Sequence, residues 1–237
     1  MQRLRSGLAC CLLVATAQAA PPQWGGSVTV ASDYLLRGVS FSGNDPALSS
    51  EVHVQFSGNF FASAGVITSR PQPAADMTPE LNATLGFAAP LNEDWIGRVS
   101  VAHYEAPWSA YPDFYRYDEL TADLTWRDRW HLLVSYSPNT SRYAPGYGPV
   151  WHGNALGFET SYQQPLRHGL QAFAGIGYYD LSDLFGDGYW YGSFGVTLSR
   201  QQWEFDLSWV MPEATAQRLS YPGTAQQRLL ATLTWNF

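Results

Sequence analysis

Apolar and polar residues alternate along almost the whole chain, and the apolar positions carry no charge. In the last segment Leu229, Ala231, Leu233, Trp235 and Phe237 alternate with Leu230, Thr232, Thr234 and Asn236. In the segment before it, Trp203, Phe205, Leu207 and Trp209 alternate with Glu204, Asp206 and Ser208. Helical spacing would scatter Glu204 and Asp206 over different faces, whereas strand spacing puts both on one. The same period recurs back to Val28, Val30, Tyr34 and Leu36, through sets such as Trp190, Phe194, Val196, Leu198 and Leu120, Ala122, Leu124, Trp126. It marks twelve candidate strands.

Charge sits on the opposite faces: Asp33, Arg37, Glu51, His53, Glu80, Arg98, Glu119, Asp123, His131, Glu159, Glu204, Asp206 and Arg228. A soluble sandwich alternates too, but its polar side meets bulk water and carries many more charges. Here charged residues are 14% of the chain, against roughly 25% in an average soluble domain, while aromatics reach 15%. After residue 19 nothing approaches the roughly 18 consecutive apolar residues of a membrane helix. The remaining way to satisfy every backbone group in lipid is a closed barrel. The expected fold is therefore all-β: an up-and-down antiparallel transmembrane barrel of about twelve strands, with lipid outside and a polar lumen inside.

The connections agree. Short links fall at 57–59, 89–94, 127–129, 164–169 and 199–202; longer ones at 41–47, 69–78, 105–117, 138–153, 180–188 and 211–225. Five short turns and six long loops fit an even-stranded barrel with both termini at the periplasmic rim and the long loops outside the cell. Aromatics such as Phe60, Phe87, Trp95, Trp126, Trp130, Trp203 and Trp235 lie beside the short turns, and Tyr34, Tyr136, Tyr178, Trp190 and Trp209 beside the long loops. These are the two expected interfacial girdles.

The N-terminus supplies the route. Arg3 and Arg5 precede an apolar stretch at 8–17, and Ala17-Gln18-Ala19 is an A-x-A cleavage pattern. Residues 1–19 read as a secretory signal peptide and 20–237 as one barrel domain, placed in the outer membrane of a Gram-negative bacterium with its lipids as partners. Cys10 and Cys11 leave with the signal, so no disulfide is expected. With 20 acids against 13 basic residues, all of them Arg, the chain is unsuited to binding nucleic acid.

Ser32-Asp33-Tyr34-Leu35-Leu36-Arg37-Gly38-Val39-Ser40, followed by Asp45-Pro46-Ala47, resembles the opening of the TorF-type porin family of proteobacterial outer-membrane proteins. Tyr117-Asp118-Glu119-Leu120, Tyr136-Ser137-Pro138 and the terminal Trp235-Asn236-Phe237 are similar to that family as well. The third strand departs from it, ending Val66-Ile67-Thr68-Ser69-Arg70. The resemblance implies an outer-membrane channel and no catalytic residues. Leu233, Trp235 and Phe237 also resemble the terminal signal read by the barrel-assembly machinery.

Enzymatic readings are thin. Trp151-His152-Gly153-Asn154 is similar to the His-x-Ser-Asn signature of outer-membrane lipid hydrolases, but Gly153 stands where the nucleophilic serine belongs. Asp180, Asp183 and Asp187 alternate as calcium ligands do, without the bidentate Glu. His53 and His131 have no second ligand at metal spacing. No cofactor, metal site or catalytic group is expected. The inward acids Asp33, Glu51, Glu80, Glu119, Asp123, Glu159, Glu204 and Asp206 outnumber Arg37, Arg98 and Arg228. That excess favours a narrow passive channel for small cationic or neutral solutes. The alternative is a non-conducting, adhesin-type barrel presenting loop aromatics Trp108, Tyr111, Tyr115, Tyr143, Tyr147 and Trp151. At the seam between first and last strands, Asp33 or Glu51, or both, are expected to separate Arg37 from Arg228.

Overall fold

The computed structural model describes residues 21–70, 76–109, 112–142 and 151–237, together with all side chains there except those of 114, 115 and 142. The signal-peptide reading at 1–19 lies outside the described residues. Twelve strands form a closed antiparallel barrel: β1 (Gln23–Ala31), β2 (Ala47–Gln55), β3 (Phe60–Ser69), β4 (Thr78–Pro90), β5 (Trp95–Glu105), β6 (Tyr117–Trp126), β7 (Trp130–Arg142), β8 (Trp151–Pro165), β9 (Leu170–Asp180), β10 (Gly188–Arg200), β11 (Trp203–Pro212) and β12 (Arg228–Asn236). Each strand pairs with its neighbour in sequence, and β12 returns to β1 with Val28 opposite Trp235 and Val30 opposite Leu233. Beyond the last strand, Gly26 and Phe237 exchange two backbone hydrogen bonds of 3.0 Å. No described helix is long and apolar enough to cross a membrane.

The alternating apolar set lies on the outside. Val52, Leu85, Val99, Leu120, Ile176, Phe194 and Leu229 are each half exposed or more. Each would forgo about 1.5–3 kcal/mol of transfer free energy in water, which a hydrocarbon surround supplies. Ring pairs stand at both ends of the strands. Trp95–Trp126, Trp130–Tyr162, Trp203–Trp235 and Phe60–Phe87 lie near the short turns, with centroids 4.8–6.5 Å apart. Tyr178–Trp190 lies near the long loops at 5.0 Å.

The inner face interlocks large with small. A Cβ on Gly86 would come within 2.3 Å of the Phe61 ring, and one on Gly177 within 2.4 Å of Tyr191. These inward glycines therefore accommodate neighbouring rings rather than simply widening the lumen.

Three boundaries depart from the alternation read in sequence. The first strand ends at Ala31, so Tyr34 and Leu36 are not on its lipid face. The β7–β8 hairpin continues to Arg142 and Trp151, past Pro138. Pro138, which lacks an N–H, coincides with a register shift between Gly153 and Ala155, where the ladder can omit that donor. Short helices, α1 (Ser182–Phe185) and α2 (Ala214–Leu219), sit in the fifth and sixth loops. Leu181, Leu184, Ala216 and Ala225 join Ala155 and Tyr189 in a buried apolar cluster over one side of the barrel mouth, with Val39 against it.

Candidate functional site

The first loop, residues 32–46, turns inward across the upper lumen. Its core is a two-rung ladder, Leu35 opposite Ser40 and Leu36 opposite Val39. Arg37 and Gly38 form the connecting turn, with φ of 50° and 80°. Two positive φ values match the twist of a tight hairpin, and a residue with a Cβ is strained in the first position. A Cβ on Gly38 would lie 3.1 Å from Pro212 and 3.2 Å from Tyr191.

That turn presents Arg37 to the opposite wall. Its Nη2 donates to Glu119 Oε2 of β6 at 2.6 Å and to Ser135 Oγ of β7 at 2.8 Å. Its Nε lies 3.7 Å from Glu159 Oε1 of β8, and its guanidinium carbon stands 4.4 Å over the Tyr179 ring of β9. The Arg37 side chain is only 5% exposed. Four consecutive strands thus supply a carboxylate, a hydroxyl, a second carboxylate and a ring face, a set suited to a desolvated guanidinium.

The base of the loop is tied to the rim. Ser40 Oγ and Ser42 Oγ each donate to Asp33 Oδ1 at 2.6 Å. Arg228 donates to Asp33 Oδ2 and to Asn44 Oδ1. Arg70 pairs with Asp45 at 2.7 Å, and the Tyr34 hydroxyl donates to Glu80 at 3.1 Å. The seam expectation is therefore corrected. Asp33 does hold Arg228, but Arg37 has left for the far wall, and Glu51 faces His53 at 3.8 Å lower in the barrel. Asp33 and Arg37 belong to the loop, not to the first strand as expected, because the Ser40–Asp33–Ser42 bonds bend the chain after Ala31. For the same reason Tyr34 leaves the upper girdle and turns toward Glu80.

Below Arg37 a chamber of about 260 Å³ is lined by residues including Asp123, His131, Glu159, Ser161, Tyr191 and Ser193. Register puts Glu51, His53, Arg98, Asp123, His131, Glu204 and Asp206 on the inner face of the periplasmic half. Asp206 accepts from Thr197 and from Thr232, the latter at 3.0 Å; Glu204 accepts from Ser199 at 3.2 Å, and Asp123 from Thr125 at 3.1 Å. Among the described residues none of Glu51, Asp123, Glu204 and Asp206 is ion-paired to an arginine. Arg98 instead stacks 5.2 Å over Phe61. This half of the lumen is negative. Outside the lumen, at the short turns, Arg127 donates to Asp94 at 2.8 and 3.2 Å and holds that carboxyl below the usual range.

Two polar groupings at the extracellular rim bear on catalysis. A serine does approach His152, from the neighbouring strand: Ser141 Oγ lies 3.0 Å from His152 Nδ1. The same Nδ1 lies 3.2 Å from the Asn139 carbonyl oxygen, which only accepts. Ser141 Oγ itself also lies 3.4 Å from the Asp113 carbonyl oxygen, so serine and imidazole each have a backbone acceptor beside the other. His103 Nδ1 meets Asp118 Oδ1 at 2.7 Å, with Asn139 Nδ2 donating to Asp118 at 2.8 Å. This pairing across strands was missed in sequence, where the two residues stand fifteen apart. The loop acids diverge: Asp180 accepts from Ser182, Asp183 from the Asn154 N–H, and Asp187 pairs with Arg218.

A family model described as "Bacterial protein of unknown function (Gcw_chp)" matches residues 15–237. The chain belongs to this family. Among solved structures the barrel is similar to the NanC porin, at 9% identity and a TM-score of 0.57, covering 89% of this chain and 97% of that one. It is similar to the KdgM porin at 8% identity and a TM-score of 0.54, covering 90% and 99%. LpxR from Salmonella typhimurium aligns at 9% identity and a TM-score of 0.52, covering 90% and 99%. At such identities the likeness shows the fold, that of outer-membrane porin barrels. No match is found among curated proteins. Sequence reasoning also missed the inward tyrosines, of which Tyr179 lies under the Arg37 tip and packs on Tyr189, which packs in turn on Tyr191. Their spacing opposite Tyr178 and Trp190 was the available signal.

Proposed function

We propose that this protein is a narrow, passive channel of the Gram-negative outer membrane for small cationic or neutral solutes. The observation that carries the reading is the uneven charge of the lumen. Arg37 and Arg228 are matched by carboxylates in the upper half, whereas Glu51, Asp123, Glu204 and Asp206 face Arg98 alone below. Low-dielectric walls focus that field and concentrate cations. The porin fold and the resemblance of the first loop to TorF-type porins support the channel class. An anionic oligosaccharide such as the oligogalacturonate found in complex with the KdgM porin would be repelled by this lower lumen. Purified protein in planar bilayers should conduct with cation preference. Silence at every voltage both in the full protein and in a variant lacking residues 34–43, or clear anion preference, overturns the reading.

A second reading, a non-conducting barrel that presents its loops, is favoured by the first loop crossing the lumen and by the apolar cluster at the mouth. Trp108 and Trp151 are exposed there. Tyr111, Tyr143, Tyr147 and the Tyr115 side chain lie outside the described residues. Nil conductance, with cell-surface binding lost on loop deletion, would select it.

A further inference from the structure

We propose that the pocket of Glu119, Ser135, Glu159 and Tyr179 is the lumen's recognition site for a guanidinium-bearing solute, and that Arg37 fills it in the resting channel as a tethered stand-in. The inference rests on the channel reading and deepens it. The chemistry of the pocket is already demonstrated by its occupant: a planar cation lies over a ring face, hydrogen-bonded to one carboxylate and one hydroxyl and beside a second carboxylate. Such a combination favours a planar cation over a spherical ion, because the two N–H groups of one nitrogen and the ring face are all used.

The occupant does not exhaust the site. Arg37 makes both hydrogen bonds through Nη2, while its Nε–H is buried with no acceptor in hydrogen-bond range, although Glu159 stands 3.7 Å away. The tether to a left-handed turn limits where that Nε can reach. A free guanidinium has no such tether and can direct one N–H edge at Glu119 and another at Glu159. Gly157 keeps the approach open, since a Cβ there would lie 2.4 Å from Ser135 Oγ and 3.4 Å from Arg37 Nε.

Access to the site exists from below. Glu159 lines the 260 Å³ chamber as well as facing Arg37, and its side chain is 39% exposed. A cation collected by Asp123 and Glu159 in that chamber therefore competes directly for a carboxylate that Arg37 shares. Displacing Arg37 frees the tip of the hairpin from the far wall and opens the upper lumen. Recognition and opening are then one event.

The test is single-channel recording in planar bilayers of wild type, Arg37→Gln and Arg37→Lys, in KCl and with guanidinium chloride added at matched ionic strength. A short tether sets an effective concentration on the order of millimolar, so guanidinium should act in that range. The expected result is a roughly tenfold rise in wild-type open time. Arg37→Gln should be open in KCl alone and gain nothing from guanidinium, and Arg37→Lys, which keeps the charge and loses the fork, should open at lower guanidinium than wild type. Heat-dependent mobility on gels confirms that each variant is folded. Guanidinium acting no differently from potassium on wild type, or Arg37→Gln as closed as wild type while other loop variants conduct, overturns the inference and leaves the channel reading standing. If no variant conducts, including one lacking residues 34–43, both fail.

Discussion

Phe194 and Ser193 are neighbours on β10 that face opposite solvents, and exchanging each for arginine should give opposite results. From Trp190 in the upper girdle to Arg200 at the short turn is ten residues. At a rise of about 3.4 Å per residue and a tilt of about 40°, that spans about 26 Å along the membrane normal, close to the roughly 25 Å apolar band of such barrels. Phe194 lies about 10 Å below Trp190 on this scale, within about 3 Å of the midplane, and is 52% exposed to lipid. Arginine at the midplane costs about 2–4 kcal/mol, between one and three powers of ten in the folding equilibrium. Ser193 lines the chamber beside Asp123 and Glu159, so arginine there gains counter-charges and should leave stability within about 1 kcal/mol of wild type. Reversible urea unfolding in lipid vesicles, followed by tryptophan fluorescence, measures both. If Phe194→Arg is tolerated and Ser193→Arg is not, β10 is turned the other way, and every inward assignment falls with it.

Asp33→Asn removes the carboxylate that holds the largely buried Arg228 and accepts from Ser40 and Ser42, and should lower stability by about 3 kcal/mol in the same assay. An unchanged urea midpoint would show that the rim does not depend on this pair. Deleting Phe237 removes a ring 5.0 Å from Trp235 and two backbone bonds to Gly26, and should reduce the amount of inserted barrel in cells more than it destabilises barrel refolded from urea. Equal insertion of deleted and full-length chains would refute an assembly role for Leu233, Trp235 and Phe237.

The barrel was legible because its constraint is local and repeated: alternation on each strand decides which face meets lipid, and the last strands show it with Trp203 to Trp209 and Leu229 to Phe237. Inward charges such as Glu204 and Asp206 follow from the same parity. The first loop was not legible, because Val28, Val30, Tyr34 and Leu36 continue the alternation past the point where the strand stops. What stops it is distant in sequence: Asp33 is held by Arg228, and Arg37 by Glu119 and Glu159. Parity reports which side a residue faces and says nothing about which residues cross the lumen to meet. The His103–Asp118 pair was hidden for a related reason, since it depends on the register between β5 and β6.

The β1–β12 seam differs from every other ladder in what must happen before it forms. Eleven ladders join strands adjacent in the chain and can zip from a nearby turn, whereas Thr29 meets Thr234 across 205 residues. Closing a loop of that length costs about 5 kcal/mol of chain entropy, set against five paired residues, the flanking Gly26–Phe237 and Ser32–Ala231 bonds, the Thr29–Thr234 hydrogen bond and the Asp33–Arg228 contact. This is the one high-contact-order step in the fold, and it requires the strand Arg228–Asn236 to be present. Until the last strand docks, a folding barrel has two unpaired edges. The same line is where a finished barrel has the shortest run of paired residues to part if it ever opens sideways into the bilayer.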